Sequence, residues 1–117
     1  MGRRPSTDEA STLTPLMFQI LLALSGGQRH GYAIMQEIGH RTDGAFTIGA
    51  GTLYRAIKQL VDASLIAEVK PKTATHRQRR YYRLTPAGRR RAAADARVFD
   101  GMVAWAEDAR LLEPRNP

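Results

Sequence analysis

The 117-residue chain has no cysteine, which excludes disulfide staples and thiolate metal sites and suits a reducing cytoplasm. Histidine is scarce, and His30, His40 and His76 have no aspartate or glutamate at metal-ligand spacing. Capping or solvation therefore explains His30 better than metal binding or base catalysis, and no metal or cofactor is expected. No apolar run approaches the ~20 residues of a membrane span. The longest, Leu16 to Leu24, is broken by Gln19 and is not placed as a signal peptide, so no membrane partner is expected. The glycines of Ile48-Gly-Ala-Gly-Thr52 match neither a P-loop nor a dinucleotide fingerprint, both of which follow a strand with further fixed residues. Paired carboxylates in an apolar setting and a placeable Ser-His-Asp spacing are also missing. An enzyme is not expected.

Acidic residues are few in one region. The chain carries 18 Lys and Arg against 11 Asp and Glu, for a net charge of +7. Between Arg55 and Arg91 there are eleven cations and two acids, Asp62 and Glu68, whereas from Ala92 onward three cations face five acids. Such polarity suits a polyanion at one side of the molecule and a protein partner at the other.

In chain order, Met1 to Thr12 has almost no apolar content and reads as a flexible tail, with Arg3 and Arg4 within it. Thr14-Pro15 is a cap followed by a first-turn proline, and Leu16, Met17, Ile20, Leu21 and Leu24 give the stripe of a buried first helix. Ser25-Gly26-Gly27 ends it. A second helix is expected from Gly31-Tyr32 to about Arg41, with Tyr32, Ile34, Met35 and Ile38 supplying apolar contacts. Phe46, in the turn that follows, is expected to pack beneath a third helix.

That third helix, Gly49 to Ala63, is the centre of the functional reading. Leu53, Ile57, Leu60 and Val61 form one apolar stripe. The opposite face carries Thr52, Arg55, Lys58, Gln59 and Asp62, with two cations, an amide and a hydroxyl where an ordinary solvated face would mix Glu and Lys. Gly49 and Gly51 leave the helix N-terminus open to a phosphate. Leu65 to Val69 and Arg79 to Leu84 are short runs of strand character around a basic stretch containing Pro71, a hairpin signal. Thr85-Pro86 then repeats the cap-plus-proline signal and opens a helix expected to reach about Leu112. Its Phe99, Met102, Val103, Trp105, Ala106 and Ala109 form a stripe suited to packing on another helix.

A helix followed at once by a basic hairpin is a winged-helix arrangement. Gly51-Thr-Leu-Tyr54, Leu60, Arg80-Tyr-Tyr-Arg-Leu-Thr-Pro-Ala-Gly88 and the upstream His30-Gly-Tyr32 together resemble the PadR family of bacterial transcriptional regulators, from about Leu13 to about Arg91. Gly49 stands where the family more often has Ser, Arg55 where it has Pro, and Ser64 where it has a helix-ending Gly. The cation at position 55 means that base preference does not transfer from relatives. Ser64 implies mild strain in any left-handed turn there.

The expected fold is mainly α with a small β-hairpin: residues 1–12 a tail, 13–84 a winged helix-turn-helix domain, 85–112 a C-terminal dimerisation helix, and 113–117 a second tail. Short members of the family dimerise through one C-terminal helix, so the resemblance implies a homodimer. It also implies a regulator, in the repressor role, acting on double-stranded DNA in the cytoplasm at the nucleoid. Candidate DNA-binding residues are Gly51, Thr52, Tyr54, Arg55, Lys58, Gln59, Arg77, Arg79 and Arg80, with Arg55 and Gln59 directed at bases. Candidate dimer residues are Phe99, Met102, Val103, Trp105, Ala106 and Ala109, and Trp105 is also the candidate contact for a small aromatic or hydrophobic effector. The rival classes are an RNA-binding or architectural winged helix without sequence preference, and a protein-interaction module.

Overall fold

The computed structural model describes residues 13–70 and 80–114. The expected N-terminal tail, Arg77, Arg79 and residues 115–117 lie outside the described residues. Among the described residues, four helices and three strands follow in the order α1 (Pro15–Leu24), β1 (Arg29–His30), α2 (Gly31–Arg41), α3 (Ala50–Asp62), β2 (Ile66–Val69), β3 (Tyr81–Leu84) and α4 (Pro86–Asp108).

Local chemistry sets the helix starts. The Thr14 hydroxyl accepts from the Met17 N–H at 3.2 Å with Pro15 in the first turn, and the Thr85 hydroxyl accepts from the Gly88 N–H at 3.0 Å with Pro86 in the same place. His30 caps α2 through Nδ1, which accepts from the Ala33 N–H at 3.1 Å. The ends of α2, α3 and α4 share a different device. Asp43, Ser64 and Arg110 have φ of 54°, 63° and 63°. The residue after each returns its N–H to a carbonyl five positions back, as in Gly44 to Gly39, Leu65 to Leu60 and Leu111 to Ala106. These are Schellman stops built without the usual glycine. The last of them halts α4 at Asp108, four residues short of the Leu112 expected from sequence, and leaves Leu111 and Leu112 exposed.

The sheet has three strands in the order β1-β3-β2, all antiparallel, rather than the two of a simple hairpin. β1 pairs Arg29 with Tyr82 and His30 with Tyr81. The core gathers Ile20, Leu21 and Leu24 of α1, Ile34 and Ile38 of α2, and Leu53, Ile57 and Leu60 of α3 around Leu65, Ile66 and Tyr82. Two expected core residues are outside it: Tyr32 is 58% exposed and Phe46 44%. The buried row of α2 is Gly31, Ile34 and Ile38, which turns Tyr32 outward, and Ile48 rather than Phe46 packs against the core from the α2–α3 turn.

α4 is anchored at its start. Gly88 lies so close to the Leu65 carbonyl that a side chain there would run into the oxygen. The Thr85 hydroxyl also reaches the Ser64 and Leu65 carbonyl oxygens, at 2.8 and 3.0 Å. Further along, Arg91 and Asp95 form a buried pair, Nε to Oδ2 3.5 Å, and the same carboxylate oxygen accepts from the Leu13 N–H at 3.2 Å. Arg91, counted by sequence with the basic cluster, is therefore withdrawn from the surface.

Candidate nucleic-acid interface

Helix α3 divides sharply. Leu53, Ala56, Ile57 and Leu60 are buried, and Gly51, Thr52, Tyr54, Arg55, Lys58 and Gln59 are all exposed. The structure thus brings every helical DNA-contact candidate onto one accessible side of one 13-residue helix. Its N-cap, Gly49, contributes no side-chain hydrogen bond, and the space around it is open. The first N–H groups of α3 and the positive end of its dipole accordingly face outward without a side chain over them.

The exposed side chains are not equally free. A methyl group at Gly31 would collide with the Tyr54 ring and hydroxyl, so Tyr54 lies across the start of α2. That contact makes Tyr54 half scaffold and half surface, at 45% exposure. Arg55 donates through a terminal guanidinium nitrogen to the Thr52 hydroxyl at 3.4 Å, and the Lys58 ammonium sits 3.4 Å from the Asp62 carboxylate one turn on. On the sheet, Arg80 Nε is 3.7 Å from Glu68 Oε2, and Arg83 is exposed on β3. Since Nδ1 of His30 accepts a backbone hydrogen, its neutral ring carries the proton on Nε2, and it stands edge-on to Tyr81 with centroids 5.4 Å apart. Burial, reinforced by the Glu68 carboxylate, pushes the Tyr82 hydroxyl above the ordinary tyrosine range, so it stays neutral beneath the wing.

The second group of candidates separates. Phe99, Val103 and Ala106 are half-buried, and the Phe99 ring meets Phe18 of α1 at 4.7 Å between centroids. Met102 (47% exposed), Trp105 (72%) and Ala109 lie outward, with Val98 (51%) continuing the row. The single stripe read from sequence is therefore two adjoining rows. One already leans on the chain's own first helix, and the other is uncovered.

Sequence reasoning placed Asp62 on the polar face of α3 without giving it a role, and did not assign Glu68 to this interface. Lys58 and Asp62 at i,i+4 carried a signal, but the Glu68–Arg80 approach depends on strand register and had none. Among the described residues no group of three or more His, Asp or Glu side chains could hold a metal ion. No helix among them is long and apolar enough to cross a membrane.

Against this geometry, residues 20–94 match the model of the Transcriptional regulator PadR-like family. A curated protein of Lysinibacillus sphaericus, named only as uncharacterized protein X, is 30% identical over 94 residues, covering 80% of this chain and 81% of its own. A transcriptional regulator from Clostridium thermocellum superposes with a TM-score of 0.71 at 26% identity, over 80% of this chain and 87% of that one. Bacillus subtilis PadR, solved in complex with operator DNA, superposes with a TM-score of 0.60 at 19% identity, over 89% of this chain and 52% of its own.

Proposed function

Since the chain belongs to the PadR-like family of transcriptional regulators, we propose that it is a homodimeric repressor that places one α3 helix in the major groove of each half of a palindromic operator. The observation that carries this reading is the exposed face of α3, where Thr52, Arg55, Lys58 and Gln59 stand opposite the buried Leu53, Ala56, Ile57 and Leu60. Arg55 and Gln59 have the side chains that bond bidentately to guanine and adenine edges. Lys58 and Arg80, with Arg77 and Arg79, go to phosphates, and the open N-terminus of α3 is suited to another. Bacillus subtilis PadR engages operator DNA, which supports the same role here.

Association runs through the uncovered row of α4. An exposed tryptophan and methionine side by side on a helix are costly to leave in water and are typical anchors of a protein interface. The same row, closed over by a second copy, offers a flat apolar lining to an aromatic effector beside Trp105.

Duplex binding followed across a salt range tests the main claim. A dimer contacting roughly six to ten phosphates loses about 10³- to 10⁵-fold in affinity between about 50 and 200 mM salt, and prefers its operator over random DNA by about 10³-fold or more. Equal affinity for all sequences, or tighter binding to RNA of matched length, refutes it. For the effector, planar aromatic compounds titrated against Trp105 fluorescence must also shift operator affinity, because linkage requires both.

A further inference from the structure

Asp62 and Glu68 are the two acids of the sequence between Arg55 and Arg91, and each one sits on a cation that the DNA reading directs at phosphates. Asp62 holds Lys58 at 3.4 Å and Glu68 holds Arg80 at 3.7 Å, while base-directed Arg55 donates to the neutral Thr52 hydroxyl. Neither acid is placed where it helps the fold. Asp62 ends α3, where the negative end of the helix dipole disfavours a carboxylate, and Glu68 is an exposed glutamate in a strand, a position the residue type disfavours. All four side chains are between 41% and 76% exposed, so the pairs are weak and readily exchanged.

We infer that Asp62 and Glu68 are affinity-tuning residues of the DNA interface, each occupying a phosphate-directed cation so that seating it on DNA exchanges one anionic partner for another. The inference rests on the DNA-binding reading above. Its consequence is stoichiometric. A bare cation that reaches a phosphate releases about one condensed counterion from the duplex. When the cation leaves a carboxylate behind, that carboxylate recruits a counterion beside the duplex and cancels the release. The sequence-independent part of the affinity is thereby held down, and the contacts of Arg55 and Gln59 carry a larger share of the total.

The test compares the full-length protein with Asp62→Asn, Glu68→Gln and the double variant on a random-sequence duplex, plotting log affinity against log salt. Glu113→Gln, in the segment after α4, changes the net charge by the same amount and serves as the control. Each of the two interface substitutions is expected to steepen the slope by about 0.9 and to tighten binding roughly eightfold at ~0.1 M salt, with the double variant additive. The control is expected to leave the slope at its wild-type value. Slopes parallel to wild type overturn the inference, as does an equal steepening by Glu113→Gln, which would reduce the effect to net charge. A wild-type protein without salt-dependent duplex binding removes the DNA reading itself and the inference with it.

Discussion

Helices α3 and α4 both expose a face, but the two faces have opposite chemistry. On α3 the apolar side packs into the chain's own core, with Val61 at its edge partly buried, and the exposed side is polar and cationic. On the distal part of α4 the exposed side is itself apolar, with Val98, Met102 and Trp105 open to water. A single copy therefore completes the first helix and leaves the second unfinished. Exposed polarity is ready for a hydrated, charged partner, whereas exposed apolar area calls for a partner that expels water.

The largest effect expected from breaking this contrast is on assembly. Met102→Asp or Trp105→Asp places a charge where a second helix must pack, and each should cost about 2–4 kcal/mol of association. Light scattering should then report monomers whose helical content is unchanged, because neither side chain is part of the monomer core. Phe99→Asp is a less clean probe, since it also breaks the contact with Phe18. Dimers that survive both the Met102 and Trp105 substitutions would move the interface off this row.

Next comes the polar face. Arg55→Ala and Gln59→Ala should each cost about 1–3 kcal/mol at the preferred site and relax discrimination at particular base pairs. Thermal stability should stay near wild type because both side chains are exposed. Equal losses on operator and random duplexes would show that this face holds phosphates and does not read bases.

The smallest effect sharpens the comparison through the helix ends. Ser64, which closes α3, and Arg110, which closes α4, both hold a left-handed conformation that glycine adopts without strain. Ser64→Gly and Arg110→Gly should each raise stability by about 1 kcal/mol or less in chemical denaturation. Ser64→Gly should gain the more, because Leu65 beyond it is buried in the core, whereas Leu111 beyond Arg110 is exposed and its turn can fray. The opposite order would mean that the end of α4 is held more firmly than its exposure implies.

Much of the fold was legible because its signals are local. Thr14-Pro15 and Thr85-Pro86 mark helix starts by their own chemistry, and the spacing of Leu53, Ile57 and Leu60 states which side of α3 is covered. The early stop of α4 and the outward turn of Tyr32 are local, whereas the other departures depend on contacts distant in sequence. β1 is two residues long, too short for any pattern, and exists because Tyr81 and Tyr82 lie beside it. Arg91 counted by sequence as one more cation of the basic region, yet it is buried against Asp95. Their burial follows from where α4 lies against the segment at Leu13. The division of the α4 stripe was likewise invisible, because Phe99 and Met102 differ in environment through Phe18 of another helix. For the interface, residue types on one helix face were readable, whereas the bracing of Tyr54 by Gly31 and the hold of Glu68 on Arg80 required the assembled chain.

The close seat of Gly88 on the Leu65 carbonyl ties the start of α4 to the base of the wing, and two turns further along the same face Asp95 ties it to the segment ahead of α1 at Leu13. The helix is roughly 34 Å long, so a small change of tilt at its far end is carried as a rigid lever to the base of the wing. In a dimer joined through α4, the angle at which the two levers cross then fixes the separation of the two reading heads. Substitutions at the crossing would re-gauge the preferred interval between half-sites, even where the bases recognised at each half remain the same.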